Sequence, residues 1–272
     1  MYEVLAISAL HLSTCRAGKS NLYREESTNL QVEALKLFNQ SVQEINSENL
    51  VPAFLFSGIL GVYSFADTFA TPSGDINIFL DRLTQSIQLL QGVRKLFSAS
   101  WDELSKSEIK YMMQFGNKQE ENPAANEVAQ HFEKLQLEIC QLESVDENQA
   151  AAYNKAITQL IWAYKSGISS TAFDGTHTSS MVTSWPVMVS SEYTDLLSQR
   201  EPEALIVLAY FAVLAHYCRD YWAIGNSGQY LLRALESYLG PKWETWLEWP
   251  KSVVFGAGNS LVYFDRLGMV DG

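Results

Sequence analysis

The chain has 272 residues, near the upper limit for one hydrophobic core, and no linker rich in Pro, Gly or Ser divides it, so a single domain over 1–272 is expected. A formal charge of −12, from 19 basic and 31 acidic residues, argues against nucleic acid and against an anionic membrane surface as partners. With 47% hydrophobic and only 18% charged residues, disorder is not expected, and there is apolar material for both a core and a cavity.

Apolar residues recur at helical spacing, and no run alternates with period two between tight turns, so the expected fold is an all-α, multi-helix bundle enclosing an apolar pocket. A first helix over 2 to about 15 is expected to bury Val4, Leu5, Ser8, Leu12 and Cys15, and the polar stretch 16–21 to end it. A second runs over about 27–45, with Leu30, Ala34, Leu37, Phe38 and Val42 on its buried side. Residues 52–69 are apolar nearly all round, interrupted mainly by Ser57, Gly58, Gly61 and Ser64, which marks a central helix packed on several sides. After a turn at Thr71-Pro72-Ser73-Gly74, a helix over 76–96 buries Leu80, Leu83, Ile87, Leu90 and Val93.

The polar segment 114–125, with Asn122-Pro123, is expected to be a surface loop. Two helices come next, over 127–142 and 148–166. Residues 169–180, rich in Ser, Thr and Gly, are the best internal choice for a mobile lid, and Pro186 fits the first turn of the next helix. The most apolar element, 203–217, belongs at the centre of the bundle. Gly225 and Gly228 interrupt or closely pack the next piece, and 231–239 is helical until Gly240-Pro241 ends it. The longest apolar run, 204–215, falls short of the roughly 20 residues a bilayer demands, so no membrane span is expected.

Motifs for familiar chemistries fail on spacing. Gly18-Lys19-Ser20 resembles the end of a P-loop, but the earlier glycine is replaced by Ser13, inside a helix. Gly225-Asn226-Ser227-Gly228 lacks the spacing of a nucleophile elbow. His11, His131, His177 and His216 show no metal-ligand spacing, Cys15, Cys140 and Cys218 add none, and no Asp-Asp pair exists to ionise a diphosphate. Neither metal nor cofactor is expected. Three scattered cysteines and the lack of a basic, cleavable leader point to a reducing compartment, cytoplasmic or nuclear.

Candidate ligand contacts gather around the most apolar helix: Tyr210, Tyr217, Tyr221 and Trp222 as apolar walls, His216 and Arg219 as orienting or catalytic donors. His216 and Arg219, three residues apart, share a helical face and can donate to one oxygenated ligand. Tyr63 and Phe65 on the central helix, and Trp162 and Trp185 near the Ser/Thr-rich segment, are further ligand-binding walls. For each aromatic, core packing competes with ligand contact. Trp243, Trp246 and Trp249 read as a buried anchor or a subunit interface.

Several stretches together carry a resemblance. They are Leu5-Ala6-Ile7-Ser8-Ala9-Leu10-His11-Leu12, then Phe54-Leu55-Phe56-Ser57, then Leu89-Leu90-Gln91-Gly92-Val93 with Trp101. The most specific run begins Glu201-Pro202-Glu203-Ala204 and ends Leu208-Ala209-Tyr210-Phe211-Ala212, followed by Asp220-Tyr221-Trp222 and Trp246-Leu247-Glu248-Trp249-Pro250. In order and spacing these resemble the effector-binding domain of fungal zinc binuclear cluster regulators of the sterol-uptake-control type. The resemblance implies a helical domain, often a homodimer, built to hold a sterol or other apolar effector.

The six-cysteine zinc cluster of such regulators has no counterpart in this sequence, so direct DNA binding is not expected. Two functions are then in play. The preferred one is a stand-alone protein of fungal secondary metabolism that binds an apolar terpenoid or polyketide and steers a cofactor-free pericyclic cyclisation of hetero-Diels–Alder type, which needs orientation, dryness and one or two donors. The alternative is a sterol- or terpenoid-sensing regulatory domain of a zinc-cluster transcription factor; a purely structural interaction domain is the third reading.

Overall fold

Amphipathic and all-apolar periodicity at 3.6 residues translates into helices along nearly all of the described residues. The computed structural model describes residues 1–70, 74–110, 123–168 and 175–256, and among the described residues no strand occurs. α1 (Tyr2–Cys15) turns through a short 3-10 segment, Ala17–Lys19, into α2 (Ser20–Ser41). α3 (Leu50–Ala70) and α4 (Ile76–Phe97) come next, the latter started by Asp75, whose carboxylate accepts a hydrogen bond from the Asn77 backbone N–H at 2.8 Å. After the single turn α5 (Trp101–Leu104) come α6 (Pro123–Ile139), α7 (Glu147–Ile168), α8 (Gly175–Met188) and α9 (Ser191–Ser198). The chain then enters α10 (Pro202–Tyr217), α11 (Ser227–Leu239) and α12 (Glu244–Phe255).

α10 is the axle of the bundle. Pro202 at its first turn supplies a preset φ at no cost in hydrogen bonding, and every residue from Glu203 to Ala215 is buried. α7, α8, α9, α11 and α12 pack around it. A helix apolar on all sides has no amphipathic stripe to orient it, so burial on all sides is its stable state. Each fully buried Leu, Ile, Val or Phe here contributes about 1.5–3 kcal/mol relative to exposure.

α3 is long and apolar enough to cross a membrane by length and composition alone, which the count of unbroken apolar residues did not anticipate. Its contacts are those of a bundle helix. Asp67 accepts ion-pair hydrogen bonds from Arg24 of α2 at 3.2 Å and from Arg82 of α4 at 2.6 Å, and Tyr63, Phe65, Thr68 and Phe69 are buried. Asp67 thereby ties three helices together. Because all three side chains remain about a third exposed, Asp67→Ala is expected to cost about 1 kcal/mol, read from the urea denaturation midpoint.

α1 buries a face other than the expected one. Glu3, Ala6, Ala9, Leu10 and Ser13 point inward, while Val4 is 52% and Leu5 46% exposed. Apolar residues cover more than one side of this helix, so periodicity alone does not select the inner face. The selection comes from α2, which offers Ser27, Gln31 and Ala34. Small side chains on both helices allow close approach, and Ser27 Oγ donates to the Ala6 carbonyl at 2.8 Å. α2 itself begins at Ser20, earlier than expected, and leaves Leu37 39% exposed.

Within this seam Gln31 Nε2 donates to Glu3 Oε2 at 3.0 Å, whereas Glu3 Oε1 and Gln31 Oε1 are buried without a hydrogen-bond partner. Two orphaned acceptors in one seam are costly, and a proton kept on the carboxyl supplies a donor. Accordingly, burial raises the Glu3 pKa to about 7, against the opposing pull of the Gln31 hydrogen bond and the N-terminal ammonium.

Three further expectations change. Residues 114–122 and 169–174, most of the expected surface loop and lid, lie outside the described residues; over 123–125 and 175–180 the chain is helical, with α6 starting at Pro123 and α8 at Gly175. Pro186 lies inside α8 near its end, where the helix terminates within the next turn, and not at the start of a new helix. The next helix, α9, is started by Ser190, whose hydroxyl accepts from the Tyr193 N–H at 3.3 Å.

Candidate functional site

The aromatic candidates are distributed over separate packing environments. Trp185 is fully buried, its Nε1–H donates to the Ala156 carbonyl at 2.9 Å, and its ring stacks on Phe211 at 4.7 Å. Phe65 packs against Phe69 and Phe211. Tyr210, 7% exposed, is held between Phe132 (5.5 Å) and Trp249 (5.1 Å), and burial raises its pKa. Tyr63 belongs to a second cluster with Ala6, Leu10, Ala66 and Ala223, and its hydroxyl is hydrogen-bonded to Ser27 Oγ at 3.0 Å. Trp162 and Tyr217 are half-buried against the main core, Tyr217 lying 5.6 Å from Tyr164. Tyr221 and Trp222 flank the second cluster, where Trp222 meets His11 at 4.8 Å.

Two adjoining clefts are formed elsewhere, and none of these eight aromatics lines either of them. The smaller, about 330 Å³, contains both predicted donors, His216 and Arg219, together with Gln229, Arg233, Val254 and Phe255. The larger, about 800 Å³, shares Gln229 and Arg233 and continues past Tyr230 and Tyr238 to Ile76. Both volumes are in the range that holds small organic ligands.

Local structure explains why these residues meet. α10 ends at Tyr217, and the following turn is held by Tyr221 N–H donating to the Cys218 carbonyl at 2.9 Å, with Gly225 at φ +51°. That conformation favours glycine, because a Cβ is disfavoured at positive φ. The turn delivers Ser227, whose hydroxyl donates to the Phe69 carbonyl at 2.9 Å, and then Gly228. A Cβ on Gly228 would sit 2.6 Å from the Ala212 carbonyl oxygen and 2.7 Å from the His216 nitrogen. The missing side chain therefore lets α11 lie directly on the backbone of α10, bringing Gln229 and Arg233 of α11 beside His216 and Arg219. Gly240, at φ +73°, reverses the chain so that the last turn of α12, Val253 to Gly256, closes the third side.

His216 is half-buried, and burial together with the nearby Arg219 charge holds its pKa below the ordinary 6.5, so it is a neutral imidazole at pH 7. Arg219 Nη1 donates to the His216 carbonyl at 3.3 Å. Arg233 lies over the Phe255 ring, 5.1 Å from its centroid. The arrangement offers two permanent cations, one neutral donor–acceptor and one amide against an apolar wall; it can orient an oxygenated organic molecule. Of the residues lining the smaller cleft, the sequence points to His216 and Arg219 but not to Gln229, Arg233 or the end of α12. The signal present was the pair Gln229 and Arg233, four residues apart on one face beside a close-packing glycine.

No family model matches the chain, and no solved structure matches it. The chain is 24% identical over 277 aligned residues to a Zn(2)-C6 fungal-type transcription factor of Gibberella zeae, covering 95% of this chain and 53% of that protein. Nearly the whole of this all-α chain is thus similar to a portion of a fungal zinc-cluster transcription factor, and it spans about half of that relative's length.

Proposed function

We propose that the chain is an effector-responsive regulatory module of the kind carried by fungal zinc-cluster transcription factors, with the cleft between α10, α11 and α12 as its small-molecule port. The observation that carries this reading is the similarity to the Gibberella zeae factor along almost the entire chain. The sterol-uptake-control resemblance narrows the effector to an apolar metabolite such as a sterol, terpenoid or polyketide. His216 and Arg219 orient its oxygen, and the larger cleft takes its hydrocarbon body.

Fusing the chain to a heterologous DNA-binding domain tests this. Reporter output is expected to change with at least one apolar metabolite, and His216→Ala and Arg219→Ala are expected to weaken the response at least tenfold, the cost of about 1.4 kcal/mol of lost contact. An output indifferent to a broad panel of sterols, terpenoids and polyketides overturns the reading. A cofactor-free cyclase would use the same two donors on a substrate carbonyl; its distinguishing readout is product above the uncatalysed, racemic background, where the regulatory module yields occupancy without turnover.

A further inference from the structure

Deepening the regulatory reading and resting on it, we propose that the effector is a planar aromatic molecule oxygenated on alternate ring carbons, a phenolic polyketide, and not a sterol. The lining of the larger cleft argues against a saturated hydrocarbon body. Among the described residues lining it, only Ile76 and Ala234 carry purely aliphatic side chains; apart from Gly74, every other one brings an amide, a hydroxyl or a guanidinium. A sterol laid there strips water from these groups and returns hydrogen bonds through a single hydroxyl, so most of them are desolvated without compensation. A ring system with several oxygens returns what it displaces.

The polar groups also have a regular step. Asn226, Gln229, Arg233 and Ser237 follow one another at intervals of three or four residues on one face of α11 and the turn before it, so successive side chains stand roughly 5–6 Å apart along the cleft. None of these four side chains hydrogen-bonds to another described residue. Ser237 shows the contrast: Ser8, Thr28, Thr68, Thr84 and Ser86 each donate to the carbonyl four residues earlier in their helix, and Ser237 does not. The row faces the cleft with its donors and acceptors uncommitted. Its step suits oxygens set on every second carbon of a ring system. A sugar carries its hydroxyls on adjacent carbons, too close together to reach successive helical turns.

Aromatic rings mark the ends of the same face. Tyr230 and Tyr238 are eight residues apart, roughly 12 Å along the helix axis, with Ala234 midway between them. The alanine carries only a methyl group, so the space between the two rings has a shallow floor. The Tyr230 ring is packed against Phe79 at 5.6 Å and 66°, whereas Tyr238 stays 43% exposed at the lip of the cleft. Ring quadrupoles favour an aromatic guest over a saturated one of equal area. A flat body between the tyrosines, with its oxygens turned to the polar row, satisfies both halves of this lining.

Equilibrium dialysis of the full chain against two isomeric dihydroxyanthraquinones tests the assignment: xanthopurpurin carries its hydroxyls on alternate carbons, alizarin on adjacent ones. Xanthopurpurin is expected to bind saturably, about tenfold more tightly than alizarin or ergosterol. Ala234→Leu, which fills the floor between the tyrosines, is expected to weaken it about tenfold, and Ser237→Ala to remove most of the preference between the isomers. Ser237 is exposed, so its variant carries the test if Ala234→Leu fails to fold. Tighter binding of ergosterol, equal affinity for the two isomers, displacement of xanthopurpurin by maltose, an absence of saturable binding, or an isomer preference untouched by Ser237→Ala overturns the proposal. A reporter that answers sterols while the quinones fail to bind removes the ligand class alone, whereas a silent reporter with xanthopurpurin bound removes the regulatory reading and leaves the ligand class standing.

Discussion

Gly228→Ala is expected to destabilise the protein by about 3 kcal/mol, the upper part of the range for overpacking a tight contact. The added methyl meets the Ala212 carbonyl oxygen at 2.6 Å and the His216 nitrogen at 2.7 Å, both backbone atoms of α10 that no rotamer change can move. Relief requires α11 to lift off α10, which carries Gln229 and Arg233 away from His216 and Arg219. The variant is therefore expected to lose the ligand response proposed for the cleft along with stability. Gly92→Ala is the control, because Gly92 lies exposed inside α4 with open space where its Cβ would go. There the same substitution is expected to stabilise by about 0.5–1 kcal/mol through helix propensity. Denaturant midpoints of both variants decide the matter; a Gly228→Ala variant as stable as the parent removes the close approach as the organiser of the cleft.

The second large effect is on pH dependence. Glu3 has a folded-state pKa raised to about 7 from the ordinary 4.5. Below pH 4.5 the carboxyl is protonated in both states and favours neither. Between 4.5 and 7 the unfolded chain releases the proton while the folded chain retains it, so stability falls as pH rises and levels off above 7. The integrated loss from this one group is about 3 kcal/mol. Glu3→Gln replaces the neutral carboxyl by a neutral amide of the same shape, which keeps a donor toward the seam and cannot ionise. The variant is expected to match the parent below pH 4.5 and to exceed it by about 3 kcal/mol at pH 8, in urea denaturation at a series of pH values. Parallel stability curves for parent and variant would show that the Glu3–Gln31 seam does not hold a proton.

Much of the fold was legible because its causes are local. The limits of α3 and α4, the stop of α11 at Gly240 and the central place of α10 follow from apolar spacing, capping residues and an unbroken apolar surface, all of which a helix expresses wherever it sits. The inner face of α1 was not legible. It was decided by the close fit to α2, through the alanines and serines that a search for bulky apolar residues passes over.

The cleft divides along the same line. His216 and Arg219 were legible as neighbours because three residues on one helix face are neighbours by geometry alone. The aromatic candidates were chosen for chemistry that serves ligand binding and core packing equally, and in Trp185, Phe65 and Tyr210 the core took them, since large rings bury the most apolar surface. Gln229, Arg233 and Phe255 come from helices that meet only because Gly225 and Gly240 adopt positive φ and Gly228 lacks a side chain. By itself the sequence determined which segments are helical and which of them is central, because those properties depend on spacing within a segment. Only the tertiary structure decided which faces meet and where a cationic hollow remains, because the direction of a turn and the closeness of two backbones arise between segments.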